Sequence, residues 1–140
     1  MNNSNILKAI FEIRKDLKNI VADGSNPSVR SKYATIKGIM EILQPEFNKH
    51  NLLFTSEFGK YNEQPGVLSH LIWLGGAEIE RIDMFFPIKE IADSQRMGAA
   101  MTYGRRYNLG ALFNLTFEED DDTGDSEKPV VKKAPQPLNF

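Results

Sequence analysis

Three segments rich in β-branched and aromatic residues follow one another in the middle of the chain, with short runs of turn residues between them. The predicted strands are residues 52–58, 67–74 and 78–86. Residues 61–66 have turn composition, and Gly75-Gly76 suits a tight hairpin because both positions tolerate positive φ. The sequence therefore predicts a three-stranded antiparallel β-meander, which needs a cover on one of its faces.

Helical periodicity flanks the predicted meander on both sides. Apolar residues recur at three- and four-residue steps from Asn5 to Val21, with Ser4 as the expected N-cap. A second helix is predicted from about Thr35 to Lys49. A third, with Ser94 as its N-cap, should run to about residue 112 and cover the sheet. The predicted fold class is α+β, a β-meander covered by helices with two helices at the N-terminus.

The charge distribution divides the chain into a domain and a tail. Residues 1–117 hold 14 basic and 12 acidic side chains, whereas residues 118–140 hold 3 and 7. The second segment is acidic at first and then rich in Pro and Lys, a composition that cannot form a packed core. We therefore expect one mildly basic domain at 1–117, followed by a flexible tail at 118–140.

Several classes of site are disfavoured by what the chain contains. It has no Cys and only two His, His50 and His70, which excludes disulfides and Cys-based zinc sites and disfavours catalytic triads. No phosphate-loop motif indicates ATP hydrolysis. No apolar run reaches the ~18 residues of a membrane span, and the N-terminus lacks a signal-peptide pattern. We expect no cofactor, no metal, no catalytic residue, no membrane contact and a cytoplasmic location.

The third predicted helix carries most of the candidate binding residues. Tyr103 and Tyr107 each fall within about 20° of Arg96 on a helix. Arg105 and Arg106 are about 100° apart, so they cannot both point at one flat surface. The tyrosines can stack on bases or pack in the core, and the arginines can contact phosphate or pair with acids. The sequence leaves these alternatives open.

Small residues on the same helix predict how it packs. Gly98, Ala99 and Ala100 would allow close approach to the sheet, while Asn108 falls on a mostly apolar side with two methionines. We therefore expect these three small residues to serve close packing of the helix.

A second basic segment precedes and enters the second helix. It contains Arg30, Lys32, Tyr33 and Lys37. Cations beside a helix N-terminus can hold phosphate oxygens, although a solvated loop would look the same. The acidic run at 118–122 could bind Mg²⁺, but catalytic metal sites draw their carboxylates from separate rigid elements, so a solvated acidic segment is favoured.

Two motifs resemble the Erf (essential recombination function) family of phage single-strand annealing proteins. The first is Ser-Lys-Tyr-Ala-Thr-Ile at residues 31–36, and the second runs from Gln95 to Leu109 and on to the acidic run at 118–122. In the second motif, Gly104 and Asn108 stand where the family usually has Ala. In place of the Gly that often closes the family's second helix, this chain has Asn51.

The resemblance implies an ATP-independent protein that binds single-stranded DNA, anneals complementary strands and self-associates into rings or filaments around a β-β-β-α core. It makes the basic and aromatic residues of both segments candidates for DNA contact. They are Arg30, Lys32, Tyr33, Lys37, Arg96, Tyr103, Arg105, Arg106 and Tyr107. A single-strand binding protein or an exonuclease is a further candidate partner. The alternatives are a non-annealing scaffold that binds a recombination partner through its acidic tail, and a Mg²⁺-dependent nuclease.

Overall fold

The computed structural model describes residues 3–22, 35–89 and 93–115. Within these ranges it has three helices and one antiparallel sheet with strand order β1-β2-β3. The elements are α1 (Ser4–Ala22), α2 (Ile36–Lys49), β1 (Leu52–Tyr61), β2 (Gln64–Trp73), β3 (Glu80–Pro87) and α3 (Ser94–Phe113). The predicted α+β meander is confirmed, including its β-β-β-α order. The predicted tail at 118–140 lies outside the described residues.

The three helices cover one face of the sheet. Strand pairing places Phe54, Leu71 and Ile82 side by side across β1, β2 and β3. These residues pack with the buried faces of the helices, which contribute Ile13, Leu43, Leu109 and others to a single core. Side chains at the alternate strand positions point away from the helices, because successive residues in a strand face opposite sides of the sheet.

The β1–β2 hairpin is tighter than its sequence indicated. Both strands extend through the predicted six-residue turn, and only Asn62 and Glu63 lie between them. These two residues have φ of 49° and 68°. Left-handed conformations at both central positions give a turn whose twist matches the strands, and this allows the ladder to continue to its last pair.

Gly75 and Gly76 do not form the positive-φ hairpin turn that the sequence predicted. No described glycine has positive φ, and β3 begins at Glu80, so the connection is longer than two residues. A Cβ on Gly75 would lie 2.5 Å from the indole of Trp73, and one on Gly76 would lie 3.1 Å away. The two glycines therefore make room for an aromatic ring.

The N-terminus of α1 is capped by a side chain that is distant in sequence. Ser4 is already helical, so its prediction as the N-cap was wrong. The carboxylate of Glu80, a side chain only 4% exposed, accepts the Ile6 backbone N–H at 2.8 Å and the Asn5 side-chain amide at 2.8 Å. Because helix N-termini carry unpaired N–H groups and partial positive charge, this contact fastens α1 to β3.

Local caps fix α2. The Thr35 hydroxyl accepts the Gly38 N–H at 3.0 Å, so the helix begins one residue after the predicted start. Pro45 lies inside the helix, and Asn51, just beyond its C-terminus, has φ of 59°. Asn tolerates this left-handed conformation better than most residues. Asn51 can therefore take the place of the Gly that often closes this helix in the Erf family.

Candidate nucleic-acid interface

Helix α3 carries most of the candidate residues and has a defined cap at each end. Asp93, and not the predicted Ser94, is the N-cap, because its side chain accepts the Arg96 N–H at 2.8 Å. Asn114 ends the helix in a left-handed conformation and donates its N–H to the Gly110 carbonyl. These caps fix where the helix begins and ends, but its rotation is set by contacts with the sheet.

The closest approach of α3 to the sheet is at Gly104. A Cβ on Gly104 would lie 2.5 Å from the Cβ of Val67, which is fully buried in the central strand. By contrast, Gly98 and Ala99 are exposed, and nothing lies within 4 Å of a Cβ on Gly98. The prediction of close packing around residues 98–100 was therefore wrong, and the contact lies nearer the centre of the helix.

A buried polar network fixes the rotation of α3. The Asn108 side-chain amide donates to the Val67 carbonyl at 3.2 Å and to the Ser69 hydroxyl at 2.9 Å. The Ser69 hydroxyl in turn is 2.8 Å from that of Ser56 on β1. Asn108 is 4% exposed, so turning the helix would leave buried polar groups without partners, at a cost of about 1–3 kcal/mol each.

With this rotation, three aromatic rings form a continuous stack. Phe86 on β3 lies against Tyr107, with ring centroids 5.3 Å apart and an interplanar angle of 15°. Tyr107 lies against Tyr103 at 5.5 Å and 14°. Phe86 and Tyr107 are both partly buried, whereas Tyr103 is 51% exposed. We call these three residues the aromatic stack.

The arginine pair is divided between two environments. Arg106 is only 6% exposed, and its guanidinium lies 5.5 Å from the Tyr107 ring centroid and 6.0 Å from that of Tyr103. Arg105 is half-buried. Their separation of about 100° predicted that the two would diverge, but not which one would be buried.

The remaining candidates are more scattered. Arg96 is exposed at the start of α3, where its guanidinium is 3.8 Å from Asp93. Lys37 is exposed in the first turn of α2. Arg30, Lys32 and Tyr33 lie outside the described residues. The structure thus brings Tyr103, Tyr107 and Arg106 together on α3. Arg105 lies about 200° from Tyr103 around that helix, and Lys37 is on another helix.

The sheet face that points away from the helices carries a charged cluster that the sequence did not predict. His70 on β2 lies between Asp83 on β3, with Nδ1 2.7 Å from Oδ1, and Glu57 on β1, with Nε2 2.9 Å from Oε2. Arg81 also contacts Asp83, at 2.9 Å. The hydrogen bond with Asp83 raises the pKa of His70; burial opposes this, and the hydrogen bond with Glu57 adds to it.

The raised pKa of His70 predicts a pH-dependent contribution to stability. The folded-state pKa lies above the ordinary value of 6.5. The stabilisation is therefore complete below that value and is lost as the pH rises through the folded-state pKa. Because both carboxylates are about half exposed, we expect His70→Gln to lower the free energy of unfolding by about 1 kcal/mol at low pH and by less at high pH.

Urea denaturation of wild type and His70→Gln from about pH 5.5 to about pH 9 measures this difference. The chain's other histidine offers the control variant His50→Gln. A wild-type advantage over His70→Gln that stays constant across the range would contradict the prediction.

A comparison with protein-family models assigns the chain to a family. The model of the ERF superfamily matches residues 6–137. The chain belongs to the ERF superfamily. The resemblance of its two motifs to the Erf family is thereby confirmed, and ERF membership implies, in general terms, a function in phage recombination by single-strand annealing. No curated protein and no solved structure matches the chain significantly.

Annealing proteins of the ERF family are in general DNA-binding proteins and not enzymes. In the described parts of this ERF chain, His, Asp and Glu side chains form no group of three or more that could hold a metal ion. Nor is any helix there both long and apolar enough to cross a bilayer. The acidic run at 118–122 falls outside those parts, so its proposed solvated character stays a prediction.

Proposed function

We propose that this chain binds single-stranded DNA and promotes ATP-independent annealing of complementary strands. The observation that carries the proposal is the orientation of α3. Its contacts at Gly104 and Asn108 fix a rotation in which Tyr103 is half exposed and the Arg106 guanidinium lies 6.0 Å from its ring. An aromatic ring beside cations is the combination that single-strand binding surfaces use.

Phosphate contact is proposed for Arg105 and Arg96, with Arg106 in a supporting position. Arg106 is almost fully buried against two rings, whereas Arg105 and Arg96 are more accessible on the same helix. Lys37 and the segment containing Arg30, Lys32 and Tyr33 are further candidates for phosphate contact. Contacts of this kind hold the strand without reading its sequence.

Annealing in this proposal needs no nucleotide hydrolysis, because the free energy of pairing comes from the DNA. The protein contributes by removing secondary structure from each strand and by holding the two strands in alignment. Self-association into a ring or filament would place many such surfaces along one strand and strengthen binding by multivalency. We expect the protein to act in the cytoplasm of the bacterial host, alongside a single-strand binding protein or an exonuclease.

Arg105→Ala tests the phosphate contact. We expect the Kd for a fluorescein-labelled single strand to rise about tenfold and the salt dependence, log K against log salt, to become shallower by about 0.7. Fluorescence anisotropy at several salt concentrations gives both quantities. The matched control is Lys15→Ala, which removes one half-exposed cation from α1 and should leave both nearly unchanged.

Annealing itself is measured with two complementary labelled strands in buffer that contains EDTA and no ATP. Faster pairing with protein than without it is the expected result. If the wild type binds no strand at low salt, the annealing proposal fails, and a scaffold that binds a recombination partner takes its place. If added Mg²⁺ shortens a labelled strand, the protein is a nuclease.

A further inference from the structure

The aromatic stack ends in a ring that is open to solvent. Its inner ring, Phe86, belongs to β3, and its middle ring, Tyr107, is half-buried. The outer ring, Tyr103, is 51% exposed and lies within 14° of parallel to Tyr107. A half-exposed ring can stack with a further planar group, because offset-parallel stacking is a favoured geometry of aromatic pairs.

We propose that Tyr103 is a stacking platform for a nucleobase of the bound strand. This inference rests on the proposed single-strand binding function and assigns one residue of that surface to the base, where Arg105 and Arg96 take the phosphates. The ligand is the face of a base of any identity, because every base has a π-face.

Pre-organisation by the neighbouring residues makes the platform effective. The Arg106 guanidinium lies 6.0 Å from the Tyr103 ring and 5.5 Å from the Tyr107 ring, close enough for cation–π attraction to both. Phe86 fixes the other end of the stack to the sheet. A ring held in place before binding loses little conformational entropy when a base stacks on it.

Stacking also suits annealing better than hydrogen bonding to the bases would. A base held by its face keeps its Watson–Crick edge free, so a second strand can test it for complementarity. A surface that hydrogen-bonded to the base edges would bind some sequences better than others. It would also occupy the atoms that a complementary strand needs for pairing. A base stacked on Tyr103 could therefore be held by the protein and pair with a second strand at the same position.

The experiment compares an oligothymidine with a strand of equal length built from abasic tetrahydrofuran units. Abasic units keep the phosphates and remove the ring that would stack. We expect Tyr103→Leu to weaken binding of oligothymidine about tenfold, towards the low end of base–aromatic stacking, and to leave binding of the abasic strand unchanged. Tyr103→Phe keeps the ring and should bind both strands as the wild type does.

Two controls separate the ring from other effects. Tyr61→Leu removes another half-exposed ring, which lies against Phe85, and should change neither affinity. Arg105→Ala should weaken binding of both strands by the same factor. Fluorescence of Trp73, the chain's one tryptophan, checks that each variant is folded.

The outcomes distinguish this inference from the function on which it rests. If Tyr103→Leu weakens binding of both strands equally, or of neither, the proposal that Tyr103 is a stacking platform is wrong, while single-strand binding stands. If the wild type binds neither strand, the proposed function fails first. Selective loss of oligothymidine binding supports both.

Discussion

Replacing Glu80 with alanine is expected to lower the free energy of unfolding by about 3 kcal/mol, the largest effect we predict for a single side chain. The carboxylate is 4% exposed and accepts hydrogen bonds from the Ile6 N–H and the Asn5 amide, both at 2.8 Å. Its removal leaves a buried helix N–H unpaired and takes away a negative charge beside the N-terminal end of the helix dipole. Urea denaturation followed by Trp73 fluorescence measures the loss.

Two further variants show which part of the side chain matters. Glu80→Gln keeps an acceptor but loses the charge, so we expect roughly half of the loss. Glu78→Ala removes the same charge from an exposed position two residues away and should change stability by less than about 0.5 kcal/mol. A Glu80→Ala protein as stable as Glu78→Ala would show that Glu80 does not cap α1.

The second large effect is that replacing glycine with alanine at two positions of α3 should change the free energy of unfolding in opposite directions. Gly104→Ala should destabilise the protein by about 1–3 kcal/mol, although alanine is the better helix former by about 1 kcal/mol. The new methyl group would lie 2.5 Å from the Cβ of Val67, a branched side chain in the central strand that cannot move aside. Chemical denaturation of both proteins gives the difference.

Gly98→Ala is the matched control, because it makes the same change on the same helix in open space. With nothing within 4 Å of the added Cβ, it should stabilise the protein by about 0.5–1 kcal/mol. Val67→Ala should relieve only part of the damage done by Gly104→Ala, because it removes the two methyl groups that clash but keeps the Cβ at 2.5 Å. Equal effects of alanine at 98 and 104 would contradict the close packing at Gly104.

The elements of this fold could be predicted from sequence because their signals are local. Apolar residues at helical spacing and alternating strands separated by turn residues identified all six helices and strands in the described ranges. Errors occurred where the decisive neighbour was distant in sequence. Glu80 caps a helix that begins 76 residues earlier. The residue that leaves no room for a Cβ on Gly104 is Val67, on the central strand.

The sequence predicted the helix that carries the candidate site, but not which of its side chains would be exposed. Helical geometry indicated that Arg105 and Arg106 diverge, while the rotation of α3 depends on buried bonds from Asn108 to the sheet. The sequence places Asn108 only on a mostly apolar side of the helix, at a position where the family usually has Ala. The His70 cluster required the pairing register, which places Glu57 and Asp83 within reach on neighbouring strands.

The order of the elements along the chain has a consequence for synthesis. Both hairpins of the meander are local, so the sheet can pair as soon as residues 52–87 leave the ribosome. Its apolar face, with Leu71 at the centre, still lacks Leu109 and Phe113 until α3 follows. A nascent chain paused before α3 thus presents a paired sheet that α1 and α2 cover only in part, a form suited to chaperone binding and prone to aggregation.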